Sequence, residues 1–288
     1  MPLVNSISFG GPLADALRQP IEELEFYWLG QSGFLFRAPG LSWVIDPYLT
    51  DALAEKYRNH LFSHERMMPI PITASELPEL DYVFATHIHG DHLDVPTLVS
   101  ISNSQQKTRF VLPAGIENDT ERLPIERDRF IWAEADKPIS LREKTMAIPV
   151  KAAHEEFQYD GKGRHRFLGY AFRLGDIAIY HSGDCIPYRG LGEKLRALQP
   201  NLALLPVNGR RKELTEKNIL GNFSLAEAIE LCREAGVPAL MAQHFGLFAF
   251  NTINPELIEE AARKIGRQLQ LLKPEVGTRY TFNSLSRA

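Results

Sequence analysis

The chain has 288 residues, of which 44% are hydrophobic and 24% are charged, and its formal net charge is −4. These values are typical of a globular protein with a substantial core, and the acidic balance argues against a general nucleic-acid-binding protein. Two cysteines, Cys185 and Cys232, exclude a disulfide framework. The sequence contains no recognisable secretory signal and no apolar stretch long enough to span a bilayer, so we expect a cytoplasmic protein that acts without a membrane.

The first half of the sequence is predicted to be rich in strands. Apolar runs at 24–29 and 33–37 flank a Gly-Gln-Ser-Gly turn and predict a hairpin, and 42–46 predicts a further strand. A polar segment with several prolines follows at 51–78, which is either a lid beside a functional site or a plain surface excursion. The next apolar run, 82–85, predicts a strand that ends at a group of histidines.

The second half alternates between helices and strands. The sequence 224–227, Ser-Leu-Ala-Glu, has the form of a capping box and opens an amphipathic helix that ends near Gly236. The other predicted elements are a helix at 191–198, strands at 202–205 and 239–242, and a helix from 254 to about 268. No low-complexity linker divides the chain, so we predict a single domain over residues 1–288, built from sheets with helices outside.

Three imidazoles and one carboxylate lie within six residues in the turn after the 82–85 strand. The sequence there is Thr86-His87-Ile88-His89-Gly90-Asp91-His92. Gly90 permits the backbone angles of a tight turn, so these side chains can converge on a small volume. Imidazole and carboxylate are ligands that suit zinc, manganese and iron, and the absence of cysteine from the turn argues against a closed structural zinc site. We interpret the turn as a metal site rather than a polar turn whose histidines only bond to their neighbours.

Three further residues of the metal-binding types follow apolar strands in the same way. His154 follows the run 148–153, Asp184 lies shortly after 177–180, and His244 ends the run that starts at Ala239. A single histidine at a strand end is more often structural. Three such positions, in a chain that already has the histidine-rich turn, favour additional ligands of the same metal site.

The order His-x-His-x-Asp-His at 87–92, followed by His154, Asp184 and His244, resembles the metallo-β-lactamase superfamily. Within that superfamily, the segments at 28–33, 85–94 and 180–184 are similar to the L-ascorbate-6-phosphate lactonase-like branch of metal-dependent hydrolases. The resemblance extends from about residue 24 to residue 250. It implies an α+β fold, the αββα sandwich, in which two mixed β-sheets pack face to face with helices outside.

The resemblance also implies two divalent metal ions per chain, manganese or zinc, with iron as a further option. One ion would be held by His87, His89 and His154, and the other by Asp91, His92 and His244. Asp184 would bridge the two ions. This division agrees with ligand chemistry, because a carboxylate can contact two ions whereas a neutral imidazole offers one lone pair.

Two carboxylates would take catalytic roles. Asp184 would hold both ions, and Asp91 would bind one ion and also take up a proton. Asp46 resembles the superfamily's acidic residue that accepts a hydrogen bond from a ligand histidine, and the alternative is a turn-forming residue before Pro47. Cys185 is predicted to be structural, although some relatives use a cysteine ligand.

The leading functional hypothesis is a hydrolase that uses water activated between two metal ions. We expect a lactonase-type cleavage of a C–O bond in a small sugar-derived substrate, phosphorylated substrates included. The alternatives are a phosphodiesterase or nucleic-acid-processing hydrolase, and a non-catalytic metal-binding or ligand-sensing protein. No nucleic-acid partner is expected because the chain is acidic.

Substrate contacts are predicted from residues close in sequence to strand ends. The candidates are Arg210, Asn208, Asn222 and Tyr188, and Arg210 in particular could pair with a carboxylate or phosphate. The alternative for each is a solvated loop residue. Three roles are open for the apolar segment 245–250: it lines the pocket wall, it forms a lid contact, or it contacts a second subunit. A homo-oligomer is therefore one of the expected alternatives.

Overall fold

The structure is a computed structural model that describes residues 3–283. In it, the apolar runs of the sequence form the strands of two β-sheets. The strands are β1 (Val4–Ser8), β2 (Glu25–Gly30), β3 (Gly33–Ala38), β4 (Leu41–Ile45), β5 (Tyr82–Phe84), β6 (Arg109–Pro113), β7 (Phe130–Ala133), β8 (Ile139–Ser140), β9 (Met146–Lys151), β10 (Leu168–Leu174), β11 (Ile177–His181), β12 (Leu202–Pro206), β13 (Ala239–Gln243), β14 (Gln270–Leu272) and β15 (Thr278–Phe282). The α-helices are α1 (Leu13–Ala16), α2 (Ala52–Lys56), α3 (Val95–Ser104), α4 (Leu191–Leu198), α5 (Lys212–Thr215), α6 (Leu225–Ala235) and α7 (Glu256–Ile265).

Both sheets mix parallel and antiparallel strands. The first has the order β1-β15-β2-β3-β4-β5-β6-β7, antiparallel from β1 to β4 and parallel from β4 to β7. The second has the order β14-β13-β12-β11-β10-β9-β8, parallel from β14 to β11 and antiparallel from β11 to β8. The predicted sandwich of two mixed sheets is confirmed.

Alternation along the strands explains how the first sheet is buried on both faces. Phe34 and Phe36 point into the core shared with the second sheet, whereas Leu35 belongs to a separate apolar cluster that also contains residues of α3. Between the sheets, the ring of Trp43 lies 4.9 Å from that of Phe36 and 5.3 Å from that of Phe172 on β10. These aromatic contacts join the two sheets into one core.

Helix signals in the sequence agree with the structure where they are local. The side chain of Ser224 accepts a hydrogen bond from the backbone of Glu227, and the Glu227 carboxylate in turn accepts from Ser224, which completes the predicted capping box of α6. Gly236 ends that helix in the left-handed conformation. Among the described residues, no helix has the length and apolar character needed to cross a membrane.

Candidate metal centre

The candidate ligands lie in turns at one edge of the sandwich. His87, His89, Asp91 and His92 follow β5 of the first sheet, while His154, Asp184 and His244 follow β9, β11 and β13 of the second. The three strands of the second sheet run in the same direction, so their carboxyl ends meet at the same edge. The sandwich therefore brings together residues that are far apart in sequence.

The seven predicted ligands form one cluster with three overlapping groups. The groups are His89, His154 and Asp184; Asp91, His92 and His244; and His87, His92 and Asp184, and the ligand atoms within each group all lie within 4.8 Å of one another. Asp184 belongs to two groups. Its Oδ1 atom lies 3.3 Å from His92 Nε2, and its Oδ2 atom lies 3.3 Å from His244 Nε2 and 3.7 Å from His154 Nε2. This carboxylate therefore contacts histidines of both predicted ion sets.

Asp46 fixes the tautomers of two histidines. It directly follows β4 and accepts hydrogen bonds from the Thr86 hydroxyl at 2.7 Å and from His92 Nδ1 at 2.7 Å. Because the Thr86 hydroxyl donates to Asp46, its oxygen can accept from His87 Nδ1, which lies 2.9 Å away. A neutral imidazole at either position therefore carries its proton on Nδ1, which leaves Nε2 as the nitrogen that can bind a metal ion.

The unpartnered atoms of the cluster fit a divalent cation. His87 Nε2, His92 Nε2 and Asp184 Oδ1 are buried, and none of them has a hydrogen-bond partner in the part of the chain that the structure describes. Buried polar atoms without partners are costly, and a cation among nitrogen and carboxylate donors removes that cost. The donor set contains no sulfur, which suits zinc, manganese or iron equally.

Burial and neighbouring charges shift the pKa values of the ligand histidines in two opposite directions. Burial lowers the pKa of His154 to about 4 and lowers the pKa of His87 well below its usual value, so both imidazoles are neutral with a free lone pair. Burial also acts to lower the pKa of His92, but the carboxylates of Asp184, Asp91 and Asp46 outweigh it and raise that pKa well above its usual value. A concentration of negative charge therefore surrounds His92, as a cation site requires.

Two residues that the sequence analysis did not select hold the cluster in place. The Gln31 side chain donates from Nε2 to Asp91 Oδ2 at 2.9 Å, and the backbone carbonyl of Gln31 accepts from the His244 backbone N–H at 3.0 Å. His181 donates from Nε2 to the Ser32 carbonyl at 2.8 Å and accepts from the Gly183 backbone at 3.0 Å. Gln31 lies in the Gly-Gln-Ser-Gly turn, but nothing local in that turn indicates a long-range partner.

A cavity of about 560 Å³ opens above the cluster. Its floor contains His89, Asp91, His154, Asp184 and His244. Three segments supply most of its wall: Leu53, Lys56, Tyr57, His60, Leu61, Phe62 and His64 from the first; Lys217, Asn218, Ile219 and Leu220 from the second; and Phe248, Phe250 and Asn251 from the third. A larger depression of about 940 Å³ lies against residues 51–70 and contains none of the candidate ligands.

Comparison with known proteins decides the family. The model of a family described as the Beta-lactamase superfamily domain matches residues 44–245. The chain belongs to the metallo-β-lactamase superfamily. The matched range begins within β4 and ends directly after His244, so it contains all seven predicted ligands.

Relatives of this metallo-β-lactamase-superfamily chain include named hydrolases. A metal-dependent hydrolase of Myxococcus xanthus is 23% identical over 261 residues, which cover 88% of this chain and 81% of that protein. Another metal-dependent hydrolase, from Hyperthermus butylicus, is 26% identical over 269 residues, which cover 88% of this chain and 98% of that protein. The N-acyl-phosphatidylethanolamine-hydrolyzing phospholipase D 1 of Caenorhabditis elegans is 24% identical over 237 residues, covering 78% of this chain and 64% of that protein.

Solved structures share the superfamily fold. The isothiocyanate hydrolase from Delia radicum gut bacteria has a TM-score of 0.70 at 15% identity, covering 90% of this chain and 99% of that one. A metallo hydrolase of Ignicoccus hospitalis has a TM-score of 0.65 at 18% identity, with the same coverage. At such identities the likeness supports the fold alone.

The four predicted substrate contacts lie elsewhere in this superfamily member. Arg210 donates to the Asn222 carbonyl at 2.9 Å and forms an ion pair with Glu227, and the Tyr188 hydroxyl donates to the Lys151 carbonyl at 2.6 Å. None of Arg210, Asn208, Asn222 and Tyr188 is among the described residues that line the 560 Å³ cavity. Their predicted contact with substrate therefore has no support in the shape of the cavity.

Two of these four residues, Asn208 and Asn222, lie behind the cavity wall and form hydrogen bonds that lead to a residue of the wall. Asn222 donates to Asn208 Oδ1 at 3.2 Å, and Asn208 donates to Asn251 Oδ1 at 2.8 Å. Asn251 does line the cavity.

Cys185 is buried beside Asp184, and burial raises the pKa of its thiol to about 12. Its sulfur donates to the Ile186 carbonyl, and the residue belongs to none of the three ligand groups.

Proposed function

We propose that the protein is a metal-dependent hydrolase that cleaves the C–O bond of a carboxylic ester or lactone with an apolar acyl or aryl portion. One observation carries the proposal: a cavity with a floor of imidazoles and carboxylates has a group of aromatic and aliphatic side chains in its wall, next to polar and charged ones. The aromatic and aliphatic side chains offer contacts to an apolar group of a substrate. The more specific assignment to an ascorbate-phosphate lactonase-like branch stays a proposal that rests on short sequence segments.

The reacting centre is proposed to be a carbonyl carbon. An anionic phosphodiester is usually held by arginine, whose planar guanidinium forms paired hydrogen bonds with phosphate oxygens. Among the described residues that line the cavity there is no arginine. The described lining does contain two lysines, Lys56 and Lys217, but they belong to the wall rather than to the floor with the ligand cluster. A neutral carbonyl group at the floor needs no cationic partner, so the lining favours an ester as the reacting group.

The residues of the cluster have separate tasks in this proposal. His87, His89 and His154 would hold one divalent ion and Asp91, His92 and His244 the other, with Asp184 as a shared ligand, and bound ions would supply an activated water and a positive charge near the carbonyl. Asp91 faces the cavity, and the hydrogen bond from Gln31 fixes the direction of its carboxylate. This geometry supports Asp91 as the group that takes up a proton during hydrolysis.

A phosphodiesterase is the second candidate. The observation in its favour is the C. elegans relative, which is named as a phospholipase D and is similar over 78% of this chain. The aromatic and aliphatic side chains of the wall would also suit a lipid chain. Purified protein loaded with Mn²⁺ or Zn²⁺ and offered lactones, aryl esters, β-lactams and phosphodiesters separates the two candidates. Faster turnover of the phosphodiesters would contradict the ester proposal and support the second candidate.

The Asp184→Asn variant tests the cluster itself. The amide keeps the size of the side chain but loses the charge that faces His92 and His244, so we expect kcat/KM for the best ester to fall about 10²- to 10³-fold. Circular dichroism should show an unchanged fold. Asp136→Asn, at a surface ion pair with Lys194, is the matched control and should keep full activity. Full activity of Asp184→Asn with bound metal would contradict the bridging role.

A further inference from the structure

Two lysine ammonium groups lie on rings that line the cavity. Lys217 Nζ is 5.1 Å from the ring centroid of Phe62, and Lys56 Nζ is 5.1 Å from that of Tyr57. All four residues line the 560 Å³ cavity. Within residues 3–283, neither lysine forms an ion pair, whereas Lys212 in the nearby helix α5 pairs with Glu216 at 3.7 Å. The cavity therefore has two uncompensated positive charges on its wall.

The rings beneath these lysines form a continuous aromatic surface. Tyr57 stacks on His64 with centroids 4.3 Å apart, and Phe62 packs against Phe250 at 5.2 Å. His64 meets Phe248 edge to face at 5.0 Å. Flat ring faces of this kind suit a planar apolar group of a ligand.

The segment that carries Lys217 is hydrogen-bonded to the turn that contains His154. Glu155, the residue after His154, accepts hydrogen bonds from the Thr215 hydroxyl and from the Gly221 backbone, both at 2.9 Å. Thr215 and Gly221 lie on either side of Lys217 in the sequence. These bonds fix the chain on either side of Lys217 and so hold the segment that carries it against the turn that contains His154.

We propose that Lys217 and Lys56, together with the rings of Phe62 and Tyr57, bind an anionic group that is attached to a planar apolar part of the substrate. The anion is a carboxylate or a phosphate monoester, and the inference rests on the ester hydrolysis proposed above. Both lysines are exposed to the cavity and the solvent, each ammonium group lies over a ring face, and its outward N–H groups remain free to donate to an anion. A cationic ligand is disfavoured here, because both ammonium groups would repel it.

Matched aryl acetates test this subsite on the full chain loaded with Mn²⁺. The substrates are 4-acetoxybenzoate, its neutral analogue 4-acetoxybenzamide, and 4-acetoxyphenyl phosphate, so that the carboxylate and phosphate forms are separated. We expect KM for at least one anionic ester to be about fivefold lower than for the amide. Lys217→Gln should raise that KM about fivefold and leave kcat and the KM of the amide unchanged. Lys212→Gln, on the same segment but paired with Glu216, is the control and should change nothing.

The possible outcomes separate this inference from the proposed function. Hydrolysis of all three esters with equal KM would overturn the subsite and leave the esterase proposal intact. An anion preference that survives in the Lys56→Gln, Lys217→Gln double variant would place the anion at the metal cluster and also overturn the subsite. If no ester is hydrolysed, the proposed function fails, and calorimetry then decides the subsite: 2-naphthoate should bind the wild type more tightly than 2-naphthamide, and Lys217→Gln should remove the difference.

Discussion

Gln31 shows how a single residue can serve a metal site without being a ligand. Its backbone is left-handed, with φ of 48°, directly after the register shift between Trp28 and Gly30. That conformation costs a non-glycine residue about 1–3 kcal/mol. The cost is offset by hydrogen bonds to Asp91 and His244, which belong to different sheets. Its side-chain Oε1 is buried without a described partner, so the amide also has an unused acceptor beside the cluster.

The variant Gln31→Met keeps the length of the side chain and removes the amide. Because Asp91 then loses a hydrogen-bond donor, we expect metal affinity to fall about 10- to 100-fold, as is usual for a partner of a ligand. Competition with a chromogenic chelator measures that affinity without reference to activity. Gln106→Met, at an exposed glutamine whose side chain donates to the Asn103 carbonyl, is the control. Equal affinities in Gln31→Met and wild type would show that the hydrogen bond to Asp91 is incidental.

At the residue scale, the sequence indicates which side chains are of a metal-binding type better than it indicates their hydrogen-bond and ion-pair partners. The histidine-rich turn could be interpreted as a metal site because its residue types and spacing are local properties. Asp46 could equally be a turn former, and only the structure shows that it accepts from both Thr86 and His92. Arg210 has the right charge for an anion site, but its ion pair with Glu227, 17 positions away, cannot be inferred from its neighbours.

At the scale of elements, predictability follows the range of the interactions that form each element. The hairpin β2–β3 and the capped helix α6 depend on contacts within a few residues, and both were predicted. Strands β1 and β15 were not, because β15 pairs between β1 and β2 at the opposite end of the sequence. The segment 51–78 has little regular structure, and whether it moves as a lid stays a prediction, although its first part forms a wall of the cavity.

The link between Glu155 and the segment 212–221 provides a test at the same scale. Glu155→Ala removes the acceptor of two hydrogen bonds, and bonds to a charged acceptor contribute about 1.5–3 kcal/mol each. Hydrogen–deuterium exchange should therefore become at least tenfold faster at Gly221 and its neighbours. Glu156→Ala changes the adjacent, exposed side chain and should leave that exchange unaltered. Unchanged exchange in Glu155→Ala would mean that other contacts hold the segment.

For the whole molecule, the cluster is a junction between the two sheets. The first sheet supplies the turn with His87 and His92, and the second supplies the turns with Asp184 and His244. Sequence motifs indicate the order of these ligands along the chain, and the family resemblance implies the sandwich that assembles them. The cavity wall depends on loops whose conformation is set by contacts across the molecule, so its aromatic surface and its lysines could not be predicted.

Because ligands from both sheets meet in the cluster, bound metal should stabilise the whole fold. A ligand present at 100 times its dissociation constant contributes about 2.7 kcal/mol to the free energy of unfolding. For a chain of this size each kcal/mol corresponds to a Tm change of about 2–4 °C, so chelation should lower Tm by about 5–10 °C and added Mn²⁺ or Zn²⁺ should restore it. Differential scanning calorimetry measures the shift. Asp184→Asn should show a much smaller shift, because its cluster lacks the carboxylate that contacts both ligand sets, whereas Asp136→Asn should behave like the wild type. A Tm that is independent of metal in all three proteins would mean that the sheets hold together without help from the cluster.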